Sequence, residues 1–385
     1  MSPLLPLRGP RKPESAAAMR LAAFALVLSA AAACARAQAD LPTLRNSGID
    51  YLNLEDGAAR LGLRMERSIP QTAVMLKDGA RPVARFADHS RDSDLKGLRV
   101  FLGDPVVERG GKFYISRTDY DNRLVPRMRP DLCVPLPRQP HVIAIDPGHG
   151  GADDGTENRT FHSMEKTYTL DVAERLKKLL AAAGYAVVLT RETDVDVPKQ
   201  LRSEIANRAD ADLLVSIHFN SLYPNTKTTG VEILLFPPRT QRSTNSWSPG
   251  QKNDAEEAAA PVNGFNAWNS VLAGVMHRRL LDALKNGDRG EKFEHLGVLR
   301  GLKCPGVLVE SAFLSSDAEA QRLATPVYRD TIAAAILGGI EDYAEVIRRL
   351  HPASVGAPAE APPPAHAPAP GAPPRSVPSR PSTLP

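Results

Sequence analysis

The chain is 385 residues long, room for two or three domains at roughly 100–200 residues each. Gly and Pro make up about 16% of it, below the roughly 25–30% of a low-complexity chain, and only three cysteines (Cys34, Cys133, Cys304) exclude a disulfide scaffold and a four-cysteine zinc site. The formal charge of +4 is matched by the surplus in residues 1–37, where Arg8, Arg11, Lys12, Arg20 and Arg36 face Glu14 alone; the rest is neutral, which excludes a global field that gathers nucleic acid.

Met19-Arg20 leads into an alanine-rich apolar core, and small-x-small sites follow at Ala35-Arg-Ala37 and Ala37-Gln-Ala39. The apolar stretch, about 15 residues, is shorter than the roughly 20 needed to span a bilayer. Residues 1–39 therefore read as an export signal, with Met19 an alternative start. The expected location is the periplasm or cell envelope, with no transmembrane span once the signal is removed. A retained anchor and a lipid on Cys34 are the alternatives; Ala31-Ala-Ala33 is a poor lipidation context. In an oxidising compartment Cys133 and Cys304 could form a bridge, or stay free and buried.

Residues 40–138 read as a small α+β domain. Tyr51–Gly62 has helical spacing and a terminal Gly; Val100-Phe-Leu-Gly103 and Lys112–Ser116 alternate like strands around Gly110-Gly111. The pattern weakly resembles the non-catalytic N-terminal domain of copper amine oxidases, and it carries no ligand cluster. Pro130–Pro140 is a proline-rich linker. Residues 139–350 alternate apolar strands (141–146, 185–190, 213–218, 231–236, 306–310) with helices. One helix has the face Leu170, Ala173, Leu176, Leu179, Leu180 and Ala183 and ends at Gly184; others are expected near 201–208, 271–284 and 328–349. The fold class expected is α/β: a mostly parallel twisted sheet with helices on both faces. Residues 351–385, rich in Pro and Ala without apolar periodicity, read as a disordered tail.

The chemistry gathers where strands end. Asp146-Pro-Gly-His-Gly-Gly151 follows the first strand of 139–350, Ser216-Ile-His-Phe-Asn220 closes the third, Val307-Leu-Val-Glu310 closes the last, and Met164-Glu-Lys166 opens the first long helix. In an open α/β sheet those ends line one crevice. Two imidazoles and one carboxylate suit Zn²⁺ with a fourth position open, so His149, Glu165 and His218 are the candidate ligands and Glu310 is left over. Glycines beside His149 permit a tight turn. No nucleophile elbow is present, which favours a metal-assisted hydrolase over an acyl-enzyme.

These segments, together with Leu189-Thr-Arg191, Asp194, Ala206-Asn207, Ala211-Asp212 and Gly230-Val-Glu232, occur in the order seen in zinc-dependent N-acetylmuramoyl-L-alanine amidases, which the chain resembles across about 141–345. The resemblance implies one Zn²⁺ on His149, Glu165 and His218, and Glu310 as general base and then acid. The substrate it implies is the amide between N-acetylmuramic acid and L-alanine of the peptidoglycan stem peptide. Asn220 and Arg300 are candidate substrate contacts. The chain departs from the family at Thr156–Met164, which lacks the usual glycines, at Ala312 and Ser316, and in an insert, Pro237–Asn266. By analogy with regulated relatives the insert is expected to be a lid moved by an activator protein, with a helix near Asp254–Ala260 and Glu256 or Glu257 in reach of the metal. A zinc peptidase acting within the stem peptide and a non-catalytic wall-binding protein are the competing readings.

Overall fold

The computed structural model describes residues 41–68, 72–245 and 254–351; the export signal with Met19 and Cys34, residues 246–253 of the insert and the tail from 352 lie outside the described residues. The first part holds β1 (Thr43–Asn46), β2 (Ile49–Asn53), α1 (Leu54–Arg60), β3 (Arg64–Arg67), β4 (Ala73–Asp78), β5 (Arg81–Ala87), β6 (Asp92–Leu95), β7 (Leu98–Phe101), β8 (Val107–Arg109) and β9 (Lys112–Ser116). A helical segment, 117–128, follows. The second part holds β10 (Val142–Pro147), β11 (Glu157–Asn158), β12 (Ser163–Met164), α2 (Glu165–Ala182), β13 (Ala186–Leu189), α3 (Lys199–Arg208), β14 (Leu213–Asn220) and β15 (Val231–Leu235). It closes with α4 (Asn266–Leu284), β16 (Asp288–Phe293), β17 (Gly306–Phe313), α5 (Asp317–Leu323) and α6 (Pro326–Leu350).

The main sheet runs β13-β10-β14-β17-β15-β16-β7-β6-β5-β4-β3. Its first four strands are parallel, β15 is antiparallel to β17, and β16 returns parallel to β15. Glu291 of β16 pairs with Val100 of β7, so one sheet crosses from 139–350 into 40–138. The remaining early strands form a second sheet, β1-β2-β9-β8. The domain boundary expected at 138–139 falls in the linker, and both of its sides share the main sheet.

Period-two alternation sorts the parallel strands into two cores. Ile143, Ile145, Val215, Ile217, Ile233 and Val309 pack under α2, α4 and α6. Ala144, Leu214 and Leu308 pack with Ala206 of α3 and with Val298 and Leu299. Helix α2 buries Thr169, Val172, Ala173, Leu176 and Leu180, a stripe at i, i+3, i+4, i+7 and i+11. Ala183, expected on that stripe, is exposed, because the helix has already ended and Gly184 turns the chain with φ +91°.

Two expected elements differ. The helix expected across Tyr51–Gly62 begins only at Leu54: Asn53 Oδ1 accepts from the Glu55 and Asp56 amides, an N-cap that leaves 49–53 free to pair as a strand. The insert forms no helix at 254–260. There the Glu256 carbonyl accepts from Thr240 N and Asp254 Oδ1 from Ser243 N, contacts that hold the segment open, and Pro261 disfavours helical geometry at Ala260. Cys133 and Cys304 are both buried, and no disulfide joins them. Among the described residues no helix is long and apolar enough to cross a membrane.

Candidate metal centre

Strand β10 runs out at Pro147, and the chain turns sharply through Gly148-His149-Gly150-Gly151. Two buried arginines hold that turn by its carbonyls. Arg202 donates to the Pro147 and His149 oxygens at 2.7 and 2.9 Å, and Arg191 to the Pro147 and Gly148 oxygens at 3.0 and 2.9 Å. Asp146 anchors the base of the turn, accepting from Thr190, Arg202 and Ser216. His149 itself sits in the left-handed region at φ +59°, a conformation a non-glycine residue adopts at some cost. Gly148 is required by packing: a Cβ there would lie 2.3 Å from Cε1 of His218.

The loop without the usual glycines, 156–164, closes as the small hairpin β11–β12 and delivers Glu165 to the first turn of α2. The Glu165 carboxylate, 3% exposed as a residue, is the hub. Its Oε1 lies 2.9 Å from His218 Nδ1 and accepts from Phe219 N; its Oε2 lies 3.2 Å from His149 Nε2 and accepts from Thr156 N. Ligand atoms from His149, Glu165 and His218 all fall within 4.8 Å of one another. Asp153 Oδ2 lies 2.8 Å from His149 Nδ1, a carboxylate partner of the kind that fixes a ligand histidine's tautomer and turns its other nitrogen inward. Burial alone would raise the Glu165 pKa, but hydrogen bonds from His149 and His218 outweigh it and hold the carboxyl well below its ordinary range. Burial likewise opposes protonation of His149, and Glu165 and Asp153 overcome it, so its pKa is raised. Two imidazoles and a carboxylate arranged this tightly fit a divalent ion such as zinc.

Glu310 lies opposite His218 on β14 and opposite Glu232 on β15. Its Oε2 is buried without a hydrogen-bond partner. Burial, then the charges of Glu165 and Glu232, push its pKa well above the ordinary carboxylate range, against the pull of Lys292. The structure thus brings together His149, Glu165, His218 and Glu310.

The other two residues singled out in the sequence are committed elsewhere. Asn220 donates to Glu232 at 2.8 Å, and its oxygen accepts from the Ser221 amide. Arg300 pairs with Glu256 and lies over the Phe236 ring at 5.8 Å. Glu256, expected in reach of the metal, holds that guanidinium, and Glu257, the other residue so expected, is exposed. Sequence reading missed Asp153, and missed that Arg191 and Arg202 serve backbone carbonyls. An Asp four residues after His149 was the only signal for the first.

The sequence profile of N-acetylmuramoyl-L-alanine amidases matches residues 143–342. The chain is 30% identical over 220 residues to N-acetylmuramoyl-L-alanine amidase AmiA of Escherichia coli K12, covering 52% of this chain and 75% of that one. It is 29% identical over 223 residues to AmiC of Escherichia coli O6:H1, 53% of each chain, and 32% identical over 273 residues to an uncharacterized cell wall amidase of Bacillus anthracis, 68% of this chain and 46% of that one. The chain therefore spans about half the length of these last two relatives. A solved N-acetylmuramoyl-L-alanine amidase from Clostridium difficile 630 aligns with 54% of this chain and 98% of its own, at 29% identity and a TM-score of 0.44.

Proposed function

The chain belongs to the N-acetylmuramoyl-L-alanine amidase family, and on that premise we propose that it hydrolyses the amide between N-acetylmuramic acid and L-alanine of the peptidoglycan stem peptide, in the cell envelope after export. The observation that carries the reading is the meeting of His149, Glu165 and His218 within 4.8 Å, with Glu310 beside His218 on the next strand. His149, Glu165 and His218 would hold Zn²⁺, which when bound supplies Lewis-acid polarisation of a carbonyl and a lowered pKa for water.

The remaining work falls to the chain's own groups. Glu310 takes the proton of the attacking water on its unpartnered Oε2 and passes it to the departing L-alanine nitrogen. Its raised pKa suits both halves of that shuttle, since an ordinary carboxylate would be a weak base and would not hold the proton for delivery. Asp153 keeps the His149 proton on Nδ1, so that Nε2 presents a lone pair to the ion. Asn220, its amide tied to Glu232, and Arg300, paired with Glu256 of the insert, are the candidate substrate contacts. An activator that displaces the insert would have to break that pair.

Digestion of purified sacculi, with and without chelator, tests the reading by mass spectrometry of the products. Intact stem peptides with a free L-alanine amino group, lost on chelation, are expected. Shortened peptides with the muramic acid amide intact would establish the stem-peptide peptidase instead.

A further inference from the structure

On the face of the sheet turned away from Glu310, a cavity of about 240 Å³ opens where the β6–β7 turn, the segment 126–130 and helices α4 and α6 meet. Its floor is aliphatic, built by Leu98, Val271, Val275 and Val346. Its polar lining is cationic. Arg127 lines the cavity and commits Nη1 to Glu291 at 2.6 Å. That guanidinium packs on Gly274, where a Cβ would lie 2.3 Å from its Cζ. Arg278 commits Nη2 to the Lys96 carbonyl, and the Lys96 ammonium has no hydrogen bond or ion pair among the described residues. The one lining acid, Asp342, is already held by Arg279 at 2.6 and 2.7 Å.

We propose that this groove docks a short segment of a partner protein that presents a carboxylate beside an aliphatic side chain. The charge selects the carboxylate, and the Leu98–Val346 floor selects the aliphatic neighbour. Position selects a partner over substrate. Ile233 and Val309 point into the core beneath α4, so their neighbours Glu232 and Glu310 point to the opposite face, and a substrate seated at the metal residues does not reach the groove. The concave shape, with Arg127 at depth, disfavours a flat anionic membrane.

The test uses the full chain and acetylated hexapeptides that combine Asp or Glu with Leu, Ile or Val, each beside its Asn or Gln counterpart, read by fluorescence anisotropy. Acidic members should bind at least about tenfold more tightly than their amides, the scale of a charge-assisted hydrogen bond. Lys96→Gln and Arg278→Gln should each weaken binding about threefold or more, while hydrolysis of sacculi and thermal melting stay unchanged. Equal binding of acids and amides would overturn the proposal, as would binding that survives both substitutions. Displacement of the bound hexapeptide by a free stem peptide or by phosphatidylglycerol vesicles would overturn the choice of occupant. Binding is read without reference to catalysis, so its failure leaves the amidase reading standing.

Discussion

Two glutamates two strands apart, Glu291 buried and Glu310 half-buried, have opposite surroundings. Glu291 on β16, beneath α4, meets Arg127 at 2.6 Å and Arg123 at 3.4 Å, with His277 also near. Burial would raise its pKa, yet Arg127, His277 and Arg123 hold it at about 2. Burial is costly to Arg123 itself, pushing its pKa down to about 10, so Arg127 with the closer contact carries the pairing. Glu310 on β17 has no cation in contact, one oxygen unpartnered, and two further carboxylates facing it. A carboxylate that holds a seam together is neutralised by its neighbours; Glu310, proposed above to move protons, is left without such partners among the described residues.

The sharpest break in that contrast is Glu310→Gln. It should lower hydrolysis by about 10²–10⁴-fold, the scale of general acid–base catalysis, while zinc binding and melting temperature are kept or raised. Atomic absorption, calorimetry and product release read the three quantities. Glu291→Gln should do the reverse, costing about 3–5 kcal/mol of stability by stranding two buried arginines, with near-normal activity in the fraction that stays folded. Denaturant melts beside specific activity would show it.

Acid should separate the two as well. The Glu291 pKa falls from 4.5 to about 2 on folding, so its contribution is full above about pH 4.5 and is lost as pH drops toward 2. Glu310, raised instead, makes kcat/KM rise with pH through a midpoint above the ordinary carboxylate range of about 4.3. Zinc affinity should weaken by about tenfold per pH unit per proton displaced as His149 becomes protonated, measured by chelator competition. The smallest effect expected is at the insert: Arg300→Ala releases Glu256 and should raise basal hydrolysis a few-fold if the insert limits access; an unchanged rate would make it a surface loop.

The four central residues were legible in sequence because each follows an apolar strand or opens a helix, where an α/β sheet puts its ligands. The sheet's extent was not. Asp288-Arg-Gly-Glu-Lys-Phe293 carries four charges in six residues and does not read as a strand. It becomes one because its charges are paired on both faces, Glu291 by arginines and Lys292 by Glu232 at 2.6 Å. Without that strand the link from β15 to β7 is invisible. The turn around His149 was half legible: its glycines announce the bend, but the arginines that grip its carbonyls come from residues 42 and 53 positions further on. In the insert, local helix propensity at Asp254–Ala260 lost to tertiary hydrogen bonds.

X-ray absorption at the zinc edge of the purified, metal-loaded chain addresses the central claim most directly. Two imidazole nitrogens at about 2.0–2.1 Å and carboxylate or water oxygens at about 2.0–2.2 Å are expected, one zinc per chain, with the imidazole signature halved in His218→Ala. A sulfur shell, or a spectrum unmoved by that substitution, would contradict it.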